Sequence, residues 1–222
     1  MLRKTFNQEI QNTKDEILVL GNMVEQAIHA AVEAMTSHSM RRAQIVIEND
    51  ANINAKRFEI EAHVINIIAT QQPMAHDLRV LASILEITGE LERIGDYAKG
   101  IAMLCIRIGS QPTIKLLTDL PLMAELSMSM LRRALVAFVD EDAETARKIP
   151  AEDDQVDNLY LQFYRVMITY FIENPSNIDE VNYLMWTAHN LERAADRVAN
   201  ICERTIFIAT GEITELTGHE ST

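Results

Sequence analysis

The chain has 222 residues, with 33 Asp and Glu against 20 Lys and Arg, for a formal charge of −13. That excess argues against a reader of nucleic acid, which needs cations to neutralise phosphates, and against docking on bare anionic lipid through a polybasic patch. Hydrophobic residues at 48% and charged residues at 24% are the balance of a folded globular protein rather than a disordered acidic tail.

Only 7 glycines and 5 prolines occur, and Asn-Gly or Asp-Gly hairpin signals are absent, so the composition is that of an all-α protein. The first helix is predicted from Phe6, Ile10, Thr13, Ile17, Leu20, Val24, Ala27, Ala31 and Ala34, which recur at alternating steps of three and four. It should end near residues 37–39. A short segment from Met40 is then expected to lead into a second helix over residues 50–71. Pro73 is read as a break and as the start of a third helix, which Gly109-Ser110-Gln111-Pro112 closes. A fourth helix is predicted over residues 119–139, with Leu120, Met123, Ser127, Met130, Ala134 and Phe138 on one seam. Pro150 opens a fifth, carrying Val156, Leu159, Phe163, Val166 and Tyr170. Asn174-Pro175-Ser176 starts the sixth, which runs to about residue 210 and leaves a frayed tail.

The second half repeats the first. Leu91-Glu92-Arg93-Ile94-Gly95-Asp96 aligns with Leu191-Glu192-Arg193-Ala194-Ala195-Asp196 at a separation of 100 residues. Upstream, Asp50 to Asn54 aligns with Asp153 to Asp157, and Pro73 with Pro175. The predicted organisation is therefore two tandem three-helix bundles made of six long helices. The first spans residues 1–109 and the second 119–210, with a linker at 110–118 and a flexible tail at 211–222. Copies of this size have modest cores and are expected to pack side by side.

The basic start of the chain is not followed by an apolar stretch, so no secretory signal is expected. No run approaches the about 18 apolar residues of a membrane span, so no direct insertion is expected either. Cys105 and Cys202 lack metal-finger spacing and read as small core hydrophobes in a reduced, cytoplasmic protein.

Four polar pairs stand at i,i+4 in equivalent places: Asp50/Asn54 and Glu92/Asp96 in the first half, Asp153/Asp157 and Glu192/Asp196 in the second. Carboxylates at this spacing share one helix face and repel, by a few tenths of a kcal/mol per pair. The wheel sets Glu92/Asp96 and Glu192/Asp196 opposite the apolar arcs of their helices, so they are expected to face away from the bundle core. A solvated outer face explains any one such pair. Their repetition in both halves points instead to a cation held between them. Oxygen-only ligation suits Fe(III), Mn(II) or Mg(II), and carboxylates with a nearby His such as His189 admit zinc. Arg93 and Arg193 read as inter-helix salt-bridge residues, and His63 as the partner of Glu59. No nucleophile elbow, P-loop or dinucleotide fingerprint is present.

The block Leu91-Glu92-Arg93-Ile94-Gly95-Asp96-Tyr97-Ala98, its echo at residues 191–197, and Gln71-Gln72-Pro73 with Asp77-Leu78-Arg79 closely resemble the PhoU family of phosphate-transport regulators. Asn200-Ile201-Cys202-Glu203 also looks like the stretch that follows the second motif in that family, and the resemblance covers essentially the whole chain. It implies two similar three-helix bundles with multinuclear metal clusters on their surface, held by (E/D)xxxD motifs. Iron or zinc serves in some members and manganese or magnesium in others. It implies a non-enzymatic repressor of the phosphate-starvation response, usually a homodimer, placed between a phosphate ABC transporter and a sensor histidine kinase. The ligands it implies here are Asp50, Glu92 and Asp96 in one cluster and Asp153, Asp157, Glu192 and Asp196 in the other. Asn54 departs from the usual Asp, so the first cluster is expected to bind metal more weakly or hold fewer ions. Two other readings compete. A ferritin-like di-metal enzyme or iron store would use Glu-x-x-His on inward bundle faces, and no such spacing occurs in the chain. A metal-free helical scaffold is the third.

Overall fold

The computed structural model of the chain describes residues 2–110, 112–114 and 117–216. Among them are six long helices and one short one, with no strand. In chain order these are α1 (Leu2–Thr36), α2 (Met40–Gln71), α3 (His76–Ile108), α4 (Asp119–Asp140), the short α5 (Ala143–Lys148), α6 (Asp153–Glu173) and α7 (Ile178–Thr210).

Most of the expected α1 seam is buried, with Ile17, Leu20, Val24, Ala31 and Ala34 inaccessible to solvent, while Ile28 takes the buried place expected of Ala27, which is only partly covered. The helix closes in a tight turn where His38 takes a φ of +51° and the Ser39 amide donates to Ala34 O at 2.9 Å. Ser39 then caps the next helix, its Oγ accepting from the Arg42 amide. For that reason α2 starts at Met40, ten residues before the expected place. Ala43, Val46 and Ile53 carry one buried face across the whole stretch. Pro73 is not in the first turn of α3. It lies in a four-residue turn between Gln72 (φ +48°) and Ala75 (φ +48°), and α3 begins only at His76.

Sequence reading missed α5, whose signal is the cap residue Asp142: its carboxylate accepts from the Glu144 and Thr145 amides at 3.0 and 3.1 Å. Ala146 and Ile149 then fill the core beneath it. Pro150 lies in a 3-10 turn (Ile149–Glu152), and α6 proper starts at Asp153. The buried face of α6 keeps Val156 and Phe163 of the expected seam, with Leu159 and Tyr170 partly buried, and Met167 replaces Val166, which is exposed. Pro175 likewise sits in a 3-10 turn (Pro175–Asn177) before α7. Residues 211–216, expected to fray, fold back: the Leu216 amide donates to Glu203 Oε1 at 2.7 Å and the side chain packs on the core. The rest of that tail lies outside the described residues.

Helices α1–α3 pack together, as do α4, α6 and α7, and one continuous apolar core joins the two groups. Across the join α3 and α7 run antiparallel: Glu86 pairs with Arg204, Glu90 with Asn200, and Arg107 stacks on Tyr183. Between these, Arg197 Nε donates to the Tyr97 hydroxyl at 3.3 Å. Those two residues are equivalent in the repeat, so a position meeting its own counterpart marks a pseudo-twofold axis. Helices α1 and α4 cross in the same antiparallel sense, with Lys14 Nζ 2.7 Å from Glu141 Oε1 and Arg132 paired with Glu25. Gly21 sits at that crossing, where a Cβ would lie 2.2 Å from Leu135 Cδ1. The connection between the halves is also tied down: Glu180, in the first turn of α7, accepts from the Thr113 and Ile114 amides, and Ile114 and Leu117 are buried.

Candidate metal-binding faces

The acidic pairs occupy two equivalent grooves, α2/α3 in the first half and α6/α7 in the second. Glu92/Asp96 and Glu192/Asp196 lie outside the apolar core, as the helical wheel has them, with Asp96 and Asp196 exposed. Each groove has a neighbouring helix as its second wall, which a wheel drawn on one helix cannot show. The Asp50 side chain keeps 7% of its surface exposed and that of Glu92 20%, while Asp96 is exposed. In the second groove Asp153, Asp157 and Glu192 are half-buried, and Asp196, like Asp96, is exposed.

The two grooves differ in what faces the carboxylates. In the first, Lys99 Nζ lies 2.7 Å from Asp50 Oδ2, and Asn54 Nδ2 donates to the same oxygen at 3.1 Å. Arg57 crosses from α2 to Glu92 Oε1 at 2.9 Å while also donating to Glu61 at 2.7 Å. The hydrogen bond to Asp50 is the main cause that holds the Lys99 ammonium above its ordinary pKa; desolvation opposes it, and the charges of Asp50, Asp96 and Glu92 add smaller upward contributions.

In the second groove the carboxylates face one another. Burial, then the charges of Asp157, Asp196 and Glu192, pushes the Asp153 carboxyl up to about 7. Burial and the charges of Asp196 and Asp157 likewise push Glu192 up to about 7, and Asp196 is raised by burial and Asp157. Asp153 Oδ1 and Glu192 Oε2 are buried without a hydrogen-bond partner. His189 Nδ1 comes within 3.1 Å of Glu192 Oε2 without hydrogen-bond geometry, and burial lowers its pKa, so the ring meets the carboxylate uncharged near neutrality. Arg193 lies 5.4 Å over the Tyr97 ring and Arg197 binds the Tyr97 hydroxyl and Glu90, so both make contacts with the other half. The charge of Arg193 still opposes the upward shifts of Glu192 and Asp196, and that of Arg197 the shift of Asp196. Arg193 is thus a cation–π partner across the halves, whereas Arg93 pairs with Glu90 on its own helix.

Among the described residues, no three His, Cys, Asp or Glu side chains are preformed around one point as ligands. The second groove nevertheless fits a cation. Its orphaned oxygens and mutually repelling carboxylates are groups that a hard cation satisfies by drawing them inward. The first groove does not fit in the same way, because an ammonium and a guanidinium already take those contacts. Neither cation was singled out from the sequence. The repeat holds the signal, since Lys99 aligns with Ala199 and Arg57 with Tyr160.

Other expected features resolve simply. Cys105 and Cys202 are buried and free, and burial pushes the Cys202 thiol up to about 12, which makes it inert at neutral pH. His63 approaches Glu16 of α1 rather than Glu59, and His76 contacts Glu141 at 2.7 Å. Trp186, the single tryptophan, packs edge-on against His189 with ring centroids 5.5 Å apart, beside the second groove. A cavity of 520 Å³ between α1 and α2 is lined by none of the seven carboxylates. No described helix is long and apolar enough to cross a membrane.

The PhoU domain family matches the chain twice, at residues 17–105 and 120–205. The phosphate-specific transport system accessory protein PhoU of Escherichia coli is 35% identical over 207 residues, covering 93% of this chain and 86% of that protein. A PhoU homologue of Aquifex aeolicus is 34% identical over 93% of each chain. Among solved structures, the phosphate transport system regulatory protein PhoU of Streptococcus pneumoniae superposes with a TM-score of 0.87 at 31% identity, covering 94% of this chain and 99% of that one.

Proposed function

This chain belongs to the PhoU family, and from that premise we propose that it is an accessory regulator of phosphate transport whose second-half acidic groove holds metal. The observation that carries the metal reading is the convergence of Asp153, Asp157, Glu192 and Asp196 on one groove, with two buried oxygens unpaired. Asp153 and Asp157 present their oxygens from α6, and Glu192 and Asp196 present theirs from α7. When bound, Fe or Zn, or alternatively Mn or Mg, supplies positive charge that cancels the repulsion among these four. The carboxylates then tie α6 to α7, and the face they form becomes less negative and more rigid.

In this reading the protein is a cytoplasmic, non-enzymatic negative regulator of the phosphate-starvation response and acts as a homodimer. It docks between a phosphate ABC transporter and a sensor histidine kinase, and the names of its relatives support the transporter side. The ferritin-like alternative finds no support in the bundle interiors. They are filled by residues such as Ile84, Ile87, Phe138 and Phe163, while the candidate ligands lie in the grooves outside. Co-purification of wild type and Glu192→Gln/Asp196→Asn with transporter and kinase components tests the proposal. Loss of the partner on substitution or chelation is expected, and undiminished capture by the metal-free variant removes the metal from the docking role.

A further inference from the structure

The two grooves are built from one repeat, yet three positions make them chemically unlike. With α2 aligned to α6 and α3 to α7, Asn54, Arg57 and Lys99 stand where the second half has Asp157, Tyr160 and Ala199. We infer that the first-half groove is closed to metal by the chain's own cations, Lys99 and Arg57, so that this protein carries a single metal site, on its second half. The inference deepens the metal reading above and rests on it.

The argument is one of occupancy. A metal ion recruited to Asp50, Glu92 and Asp96 has to bind the oxygens that point into the α2/α3 groove. Asp50 Oδ2 already receives Lys99 Nζ at 2.7 Å and Asn54 Nδ2 at 3.1 Å, and Glu92 Oε1 receives Arg57 at 2.9 Å. These cations are covalently part of the groove and so arrive at very high effective concentration. A divalent ion must expel them, and their charge then opposes it at close range. In the second groove the side chains at the two equivalent positions carry no charge. Tyr160 instead joins the aromatic cluster with His189 and Tyr164, and Asp157 adds the carboxylate that Asn54 withholds. Lys99 and Arg57 thus act as built-in counter-ions. They tie α2 to α3 permanently, where metal would tie α6 to α7 conditionally, so metal supply acts on only one half of the molecule.

The test uses the full chain, freed of metal by chelation and then dialysed to equilibrium against Mn(II) or Zn(II), with bound metal per chain measured by elemental analysis. Trp186 fluorescence serves as a separate reporter of the second groove. Glu92→Gln/Asp96→Asn is expected to leave bound metal and the Trp186 response unchanged. Glu192→Gln/Asp196→Asn is expected to abolish both. Giving the first groove the second-half residues, with Asn54→Asp, Arg57→Tyr and Lys99→Ala, should roughly double the bound metal, and Lys99→Ala alone should raise it by a smaller amount. Loss of about half the metal in Glu92→Gln/Asp96→Asn, with the Trp186 response intact, overturns the inference while leaving the second site standing. A helical Asn54→Asp/Arg57→Tyr/Lys99→Ala variant with a normal Trp186 response and no added metal overturns it too. Wild type that takes up no metal and shows no Trp186 response overturns both readings together.

Discussion

Lys99 Nζ stands 2.7 Å from Asp50 Oδ2 at a position where the other half of the molecule carries alanine. This ion pair joins α2 to α3 without any ligand, and it separates two grooves that the repeat would otherwise make alike. Several measurable properties depend on that difference.

Lys99→Met removes the cation but keeps most of the apolar stem. Asp50 is almost fully buried, with its side chain 7% exposed, and loses its charged partner. An unpaired buried acceptor costs about 1–3 kcal/mol, and Asn54 offsets part of that. The chelated variant should melt several degrees below wild type, and excess Mn(II) should recover much of the loss by entering the vacated groove. Thermal melts of both proteins with and without metal check this.

Stability of the chelated protein should fall as pH rises through the interval from about 4 to about 7. Asp153 and Glu192 have folded-state values near 7, above their unfolded values of 3.8 and 4.5, so the folded chain binds more protons than the unfolded chain across that interval. The sign reverses on the acid side. Burial opposes, but Lys14 and His76 together pull Glu141 below its usual value, and Arg133 does the same to Glu152. Their stabilisation is present above about pH 4.5 and is lost as pH falls below it. Denaturant melts across pH should therefore place the maximum on the acid side of neutrality, and saturating metal should flatten the loss toward pH 8.

Glu192→Gln should stabilise the chelated protein at pH 8 and abolish the stabilisation by metal. Gln removes one of the converging charges and supplies N–H donors to a groove of acceptors. The gain is set at about 1 kcal/mol once solvent screening at the groove mouth is allowed for. Paired melts with and without metal resolve the two opposite effects.

Trp186 should report metal at the second groove, because its ring packs on His189, which lies 3.1 Å from Glu192. Titration of Mn(II) should quench its emission saturably in wild type and in Glu92→Gln/Asp96→Asn, and leave it unchanged in Glu192→Gln/Asp196→Asn.

The six long helices and their doubling were legible in the sequence because apolar periodicity and the repeated Leu-Glu-Arg motif are local signals. Boundaries were less so. Ser39 let α2 start at Met40, and turns with positive φ at Gln72 and Ala75 moved the start of α3 past Pro73. The candidate acidic residues were all nameable from spacing, but their surroundings were not. That Arg57 crosses to Glu92, or that Arg193 turns away to Tyr97, depends on which helices adjoin. A wheel for one helix holds no such information. The cations of the first groove escaped notice because Lys99 and Arg57 read as ordinary solvated charges until α2 and α3 are brought together.

An anomalous difference map from crystals of the full chain soaked in Mn(II) tests the central claim most directly. The account predicts peaks confined to the α6/α7 groove among Asp153, Asp157, Glu192 and Asp196, with Lys99 still on Asp50. A peak in the α2/α3 groove with Lys99 displaced from Asp50, or no peak at the α6/α7 groove, would contradict it.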